Sequence, residues 1–149
     1  MILYHGSQIK FDTLKRSQAE KADGIEVPEN ELRNSIYLSP HKSFALAVCS
    51  MPKGLTDIDY DNMTIKTEFP ENFDPNKRVY LYKIDTEKFP KEKFEFLKDG
   101  MQVVADFDEM EYDSVEELMA GEVLKYYKLL NYENKEGLAK EIRSEFKFH

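Results

Sequence analysis

The 149-residue chain contains one cysteine, Cys49. An internal disulfide and a cysteine-based zinc cage are both excluded, because each needs partner thiols. Within "SFALAVCS" the residue reads as a small buried apolar side chain rather than a reactive thiol. The chain also lacks any apolar run near the roughly 18 residues that a membrane-spanning helix needs, and "MILY" is too short for the apolar region of a signal peptide. The expectation is a cytoplasmic protein without a membrane segment. Basic residues are missing from everything between Lys98 and Lys125, while Asp99, Asp106, Asp108, Glu109, Glu111, Asp113, Glu116, Glu117 and Glu122 all fall there. That block carries the whole net charge of −8. Acidity so placed argues against a broad nucleic-acid surface and leaves room for a local basic groove.

What is present is a chain about one domain long, able to bury roughly two thirds of its unfolded surface. With ten Phe and nine Tyr it has the aromatic content of a folded core. A single domain over residues 1–149 is expected, and no internal repeat is visible. Residues 2 to 5 read as a strand, and "SQAEKADGIEVPENELR" (17 to 33) as a long polar loop broken at Gly24 and Pro28. "SIYLS" (35 to 39) reads as a second strand. In "SPHKSFALAVCSM", Ser39 suits an N-cap and Pro40 the first helical position, with Phe44, Ala47, Val48 and Met51 at helical spacing and Pro52 and Gly54 as the stop.

Residues 55 to 77 read as a polar connection. "RVYLYKI" (78 to 84) is the clearest strand, dense in β-branched and aromatic residues, and "GMQVVADF" (100 to 107) is another. "DSVEELMAGEVLKYYKLL" allows two readings: a helix opened by a Ser114–Glu117 capping box, or a segment broken at Gly121 whose "VLKYYKLL" is a strand. "NKEGLAKEIRSEF" sets Leu138, Ile142 and Phe146 on one face of a terminal helix. Short strands with two or three helices between them, not alternating as a parallel sheet requires, predict an α+β fold.

Two constellations carry chemistry. In "DIDYDNMTIKTE" the residues Asp57, Asp59, Asp61 and Glu68 match positions one, three, five and twelve of an EF-hand calcium loop. Asn62 stands where the turn wants glycine, and Pro52, Gly54, Pro70 and Pro75 flank the segment where helices belong, so a solvated polar loop is the plainer reading. No metal is expected. Asp106, Asp108 and Glu117 form a poorer match, with Met110 and Glu111 at key positions.

The second constellation begins at "LYHGS" (3 to 7) and continues at "IYLSPHKSFALAV" (36 to 48), with a carboxylate-rich segment near the C-terminus. Singly, a His-Gly pair or a strand tyrosine is uninformative. In this order and spacing they resemble the histidine, tyrosine and glutamate pattern of the ADP-ribosyltransferase superfamily, which includes the poly(ADP-ribose) polymerases, the diphtheria-toxin-like enzymes and the bacterial rifampicin ADP-ribosyltransferases. "RVYLYKIDTEKF" resembles the central strand of the shorter bacterial members.

The resemblance implies a split sheet of short strands flanked by helices, NAD as substrate, and transfer of ADP-ribose to an unknown acceptor: a protein, a nucleic acid or a small molecule. It implies that His5 hydrogen-bonds ribose hydroxyls. Gly6 would present its main chain to the nicotinamide amide, which only a residue without Cβ allows at close range. Tyr37 would stack on the nicotinamide, with Ser7 and Ser39 as polar neighbours. Glu117 is the best match for the acid that stabilises the oxocarbenium-like centre, with Glu111, Glu116, Glu122 and Gln102 as alternatives. A relative that binds NAD without turning it over is a variant of this reading. A rival reading is a non-catalytic module that docks a basic partner through the acidic block, residues 99–124.

Overall fold

The computed structural model describes residues 1–16 and 35–130. The long polar loop and the terminal helix expected from the sequence lie outside these residues. In chain order the elements are β1 (Ile2–Ser7), β2 (Leu14–Lys15), β3 (Ile36–Leu38), α1 (Lys42–Ser50), β4 (Thr56–Asp59), β5 (Thr64–Thr67) and β6 (Arg78–Asp85). They continue with β7 (Phe94–Phe96), β8 (Val103–Ala105), β9 (Glu109–Met110), β10 (Ser114–Met119) and β11 (Lys128–Leu130). This is a small α+β protein, mostly strands in several small sheets. Among the described residues α1 is the one α-helix, with short 3-10 turns elsewhere. No helix among them is long and apolar enough to cross a membrane.

The sheet that organises the molecule has the order β1-β6-β10, antiparallel throughout. Its central strand β6 is the "RVYLYKI" segment, and alternation along it feeds two cores. Leu81 and Val79 point to one face, where they join Ala45, Leu46, Ala47 and Val123. Tyr82 and Ile84 point to the other, where they join Leu3, Leu14, Ile36, Leu38 and Val103. Each fully buried aliphatic or aromatic side chain of this kind contributes about 1.5–3 kcal/mol.

The remaining strands form the sheets β3-β8-β7 and β11-β5-β4 and the pair β2-β9. The β11–β5 pairing is parallel and the others are antiparallel. Tyr82 also organises a loop. Its hydroxyl accepts from the Phe11 N–H at 2.6 Å and donates to the Ile9 carbonyl at 3.1 Å, while Tyr112 Oη donates to the Phe11 carbonyl at 2.8 Å.

Several sequence expectations need correction. The helix begins two residues later than expected: His41, not Ser39, is its N-cap, and Pro40 precedes it. The Ser39 hydroxyl instead accepts from the His41 N–H at 3.0 Å, because the Tyr4 pairing holds Ser39 in extended conformation. Val48 is 55% exposed rather than core, since Ala45, Leu46 and Cys49 form the buried side of α1.

The "polar connection" 55 to 77 contains the β4–β5 hairpin. The calcium-loop pattern therefore falls on a hairpin, not between two helices. Both carboxylate oxygens of Asp59 accept from Asn62, at 3.0 Å from its N–H and 2.7 Å from its side-chain amide, which holds the Asp59 carboxyl below its usual range. Glu68 Oε1 accepts from the Leu55 N–H at 3.2 Å. Among the described residues no cluster of three or more His, Cys, Asp or Glu is placed to hold a metal ion.

"DSVEELMAGEVLKYYKLL" takes neither pure form. It is strand at Ser114–Met119, a 3-10 turn at Ala120–Lys125 and strand again at Lys128–Leu130. The capping box does not form, because Ser114 and Glu117 lie in the ladder opposite Lys83 and Tyr80.

Candidate functional site

His5, Gly6 and Ser7 lie within β1 rather than beyond its end, paired with Tyr82, Leu81 and Tyr80. Their accessibility arises differently. β1 is the edge strand of its sheet, and its outer edge meets β3 through one bridge, Tyr4–Ser39. The two residues exchange hydrogen bonds of 2.7 and 2.8 Å. Beyond that bridge β3 turns away to pair with β8, Tyr37 opposite Val104. Extending the bridge's register would set Tyr37 opposite Gly6, but no ladder joins them, and the strands part there like the legs of a fork.

The parity of a strand fixes what faces the fork. Tyr4 directs its N–H and C=O outward to Ser39, so Gly6, two residues on, directs its own to the same edge. No hydrogen-bond partner for them is found among the described residues. Gly6 thus offers a donor and an acceptor side by side on an open strand edge.

His5 leans into the fork. Its Nδ1 lies 2.7 Å from the Tyr37 carbonyl oxygen. A carbonyl only accepts, so Nδ1 carries the proton and Nε2 is the bare nitrogen of the neutral ring. Burial pushes the His5 pKa down, with the Tyr37 hydrogen bond acting in the opposite direction, and the neutral tautomer is the favoured form.

The absence of a Cβ at Gly6 has a structural cause that the sequence reading missed. Alternation points that position toward α1, where a Cβ would stand 2.3 Å from the Ala45 carbonyl oxygen and 2.8 Å from Cys49 Sγ. Glycine is required so that the helix backbone can press against the strand, and the open edge is presented sideways. Gln8 reinforces the contact by donating from Nε2 to the Cys49 carbonyl at 3.0 Å. Cys49 is buried, and desolvation pushes its thiol up to about 12.

The carboxylate candidates separate by face. In the row Ser7–Tyr80–Glu117, the three side chains project from the same side of the sheet as His5. With strands about 4.8 Å apart, Ser7 and Glu117 are separated by about 10 Å across Tyr80. Glu116 projects to the other face, in the row of Gly6 and Leu81, and pairs with Lys42 Nζ at 2.8 Å. Glu117 lies 3.6 Å from Arg78 Nη1 in a solvent-exposed pair. Glu122 pairs with Lys125 at 2.6 Å in the 3-10 turn, and Gln102 donates to Asp99 Oδ2 at 2.9 Å. Glu111 is exposed in the connection between β9 and β10.

Tyr37 is half-buried and, by alternation with Ile36 and Leu38, is on the Ser39 side of its strand. The fold therefore brings His5 against the Tyr37 main chain, sets Gly6 and Ser39 along the fork, and places Ser7 and Glu117 on the His5 face. The Tyr37 ring, alternating with Ile36 and Leu38, projects to the α1 face of the sheet, while the Glu117 carboxylate lies on the His5 face two strands from β1, so these two side chains are not brought together. Sequence reasoning missed Tyr80, between Ser7 and Glu117, because a strand tyrosine carries no signal until the register is known. Compared with protein-family models, curated proteins and solved structures, the chain matches none.

Proposed function

We propose that this protein binds NAD across the open edge of β1 and transfers its ADP-ribose to an acceptor, as the resemblance to the ADP-ribosyltransferases implies. The observation that carries the reading is the pairing of two hydrogen-bonding surfaces, at neighbouring residues, that find no partner among the described residues: the outward main chain of Gly6 and the bare Nε2 of His5. A carboxamide needs one acceptor and one donor at adjacent points, which a strand edge supplies. A ribose hydroxyl needs an acceptor for its proton, which neutral imidazole supplies.

In this reading the nicotinamide amide pairs with Gly6, the Tyr37 ring packs on the nicotinamide, and Ser39 borders that end. The attached ribose lies toward His5 and Ser7 on the face that carries Glu117. The bond between the ribose C1′ and the nicotinamide nitrogen breaks with its electron pair leaving on nicotinamide. The acceptor's nucleophile bonds to C1′ and its proton passes to the Glu117 carboxylate. That carboxylate also stabilises positive charge as it develops on the sugar. The chain's own part is to orient the dinucleotide and to hold a negative charge near the reacting carbon.

The test is a titration with NAD followed by nuclear magnetic resonance, with chromatography for released nicotinamide. Shifts centred on His5, Gly6 and Tyr37 together with nicotinamide release are expected. Unchanged spectra and no release, with salt-sensitive binding of a basic peptide by residues 99–124, would replace this reading with that of a docking module.

A further inference from the structure

We infer that Tyr80 is a substrate-contacting residue of the same site, an inference that rests on the NAD reading above. Tyr80 is opposite Ser7 on one side and Glu117 on the other. It is the middle of the row that any ligand reaching from the edge of β1 to the carboxylate must cross, over a span of about 10 Å. Its ring is half-buried against the core formed around Tyr82, which fixes the ring and leaves one part open.

The other two tyrosines of the same core, Tyr82 and Tyr112, have their hydroxyls engaged within the protein. Tyr82 bonds Phe11 and Ile9, and Tyr112 bonds the Phe11 carbonyl. Tyr80 makes no side-chain hydrogen bond to any described residue. The ring thus forms an apolar floor under the ribose, and its hydroxyl is free to bond a sugar hydroxyl between Ser7 and Glu117. A floor that contacts the sugar would act on binding and orientation, while the charge on Glu117 acts on the bond-breaking step.

The experiment compares wild type, Tyr80→Phe and Tyr80→Leu by calorimetric titration with NAD, by nicotinamide release and by thermal melting. It is accompanied by resonance assignment of the Tyr80 ring in the wild type. Tyr80→Phe is expected to weaken NAD binding about five- to tenfold through one lost hydrogen bond, with the melting temperature unchanged. Tyr80→Leu should weaken it further. The rate at saturating NAD should change less than the affinity, and the Tyr80 ring resonances of the wild type should shift on titration. NAD binding by the wild type with no Tyr80 shift and unaltered affinity in Tyr80→Phe overturns this inference alone. Failure of the wild type to bind NAD overturns it together with the reading on which it rests. Should Tyr80→Leu fail to fold, Tyr80→Phe and the wild-type ring shifts still decide.

Discussion

The imidazole of His5 donates from Nδ1 to the main-chain carbonyl of Tyr37 across 2.7 Å, joining two strands that have otherwise parted. The bond determines which nitrogen is left without a proton, and burial opposes the charged ring. Depression of a histidine pKa below its ordinary 6.5 means that the unfolded chain binds the proton more readily than the folded one. His5 therefore contributes stability that is present above about pH 6.5 and is lost as pH falls toward the folded value. A pH series of urea unfolding should show this loss in the wild type and less of it in His5→Gln. Nitrogen-15 shifts should report the Nδ1–H tautomer at neutral pH. Titration of His5 at or above 6.5 would contradict the geometry.

Gly6→Ala should destabilise the fold by about 1–3 kcal/mol, the usual cost of overpacking a tight contact. The new methyl meets a main-chain oxygen of Ala45 as well as Cys49 Sγ. Adding Cys49→Ala relieves only the sulfur clash, so the double variant should recover part of the loss. Full recovery in denaturant melts would mean that the helix backbone yields more easily than the packing implies.

The Cys49 thiol, pushed up to about 12, should resist Ellman's reagent at pH 8 until the protein is unfolded. A thiol pKa raised on folding makes stability complete below the ordinary 9.0 and lost progressively as pH rises toward the folded value. Rapid labelling of native protein at pH 8 would show that α1 lifts from β1 far more often than its packing suggests.

The two adjacent glutamates of β10 should behave differently. Glu117→Gln is expected to lower nicotinamide release by two orders of magnitude or more, at roughly the cost of one removed electrostatic stabiliser, with NAD affinity little changed. Glu116→Gln removes only the partly exposed partner of Lys42 and should shift stability by less than about 1 kcal/mol, with release retained. The opposite pattern would move the acid to the helix face.

Tyr82→Phe deletes the acceptor of the Phe11 N–H and the donor to Ile9 without changing the ring's volume. The cost is expected at about 1–3 kcal/mol, the range for leaving a buried polar group unpaired. Hydrogen exchange should localise the faster opening to residues 9–11.

Strands with strong local composition were readable in advance. "RVYLYKI" became β6 because its apolar side chains serve cores on both faces, and "IYLS" became β3 with Ser39 at the bridge. Residues whose role depends on a partner elsewhere in the chain were not readable. The 114–130 segment reads equally as a helix or as a broken segment with a strand, and the choice is set by β6 and β5, against which its two strands lie. Gly6 was singled out for the close approach of a ligand, whereas the pressure on its missing side chain comes from Ala45 and Cys49. The calcium spacing falls on a polar hairpin, in which Asp59 serves the turn and Glu68 holds the Leu55 amide.

If the proposed site is right, the parting of β1 and β3 would put recognition in the hands of peptide groups rather than side chains. Amides at a strand edge are the same whatever residue bears them, so such a surface tolerates drift at its neighbours and leaves little imprint in the alphabet of the sequence. Affinity here would respond to the angle between two strands, set from a distance by the helix behind them, and evolution could retune it by repacking Ala45 and Cys49 without touching a single group that meets the ligand.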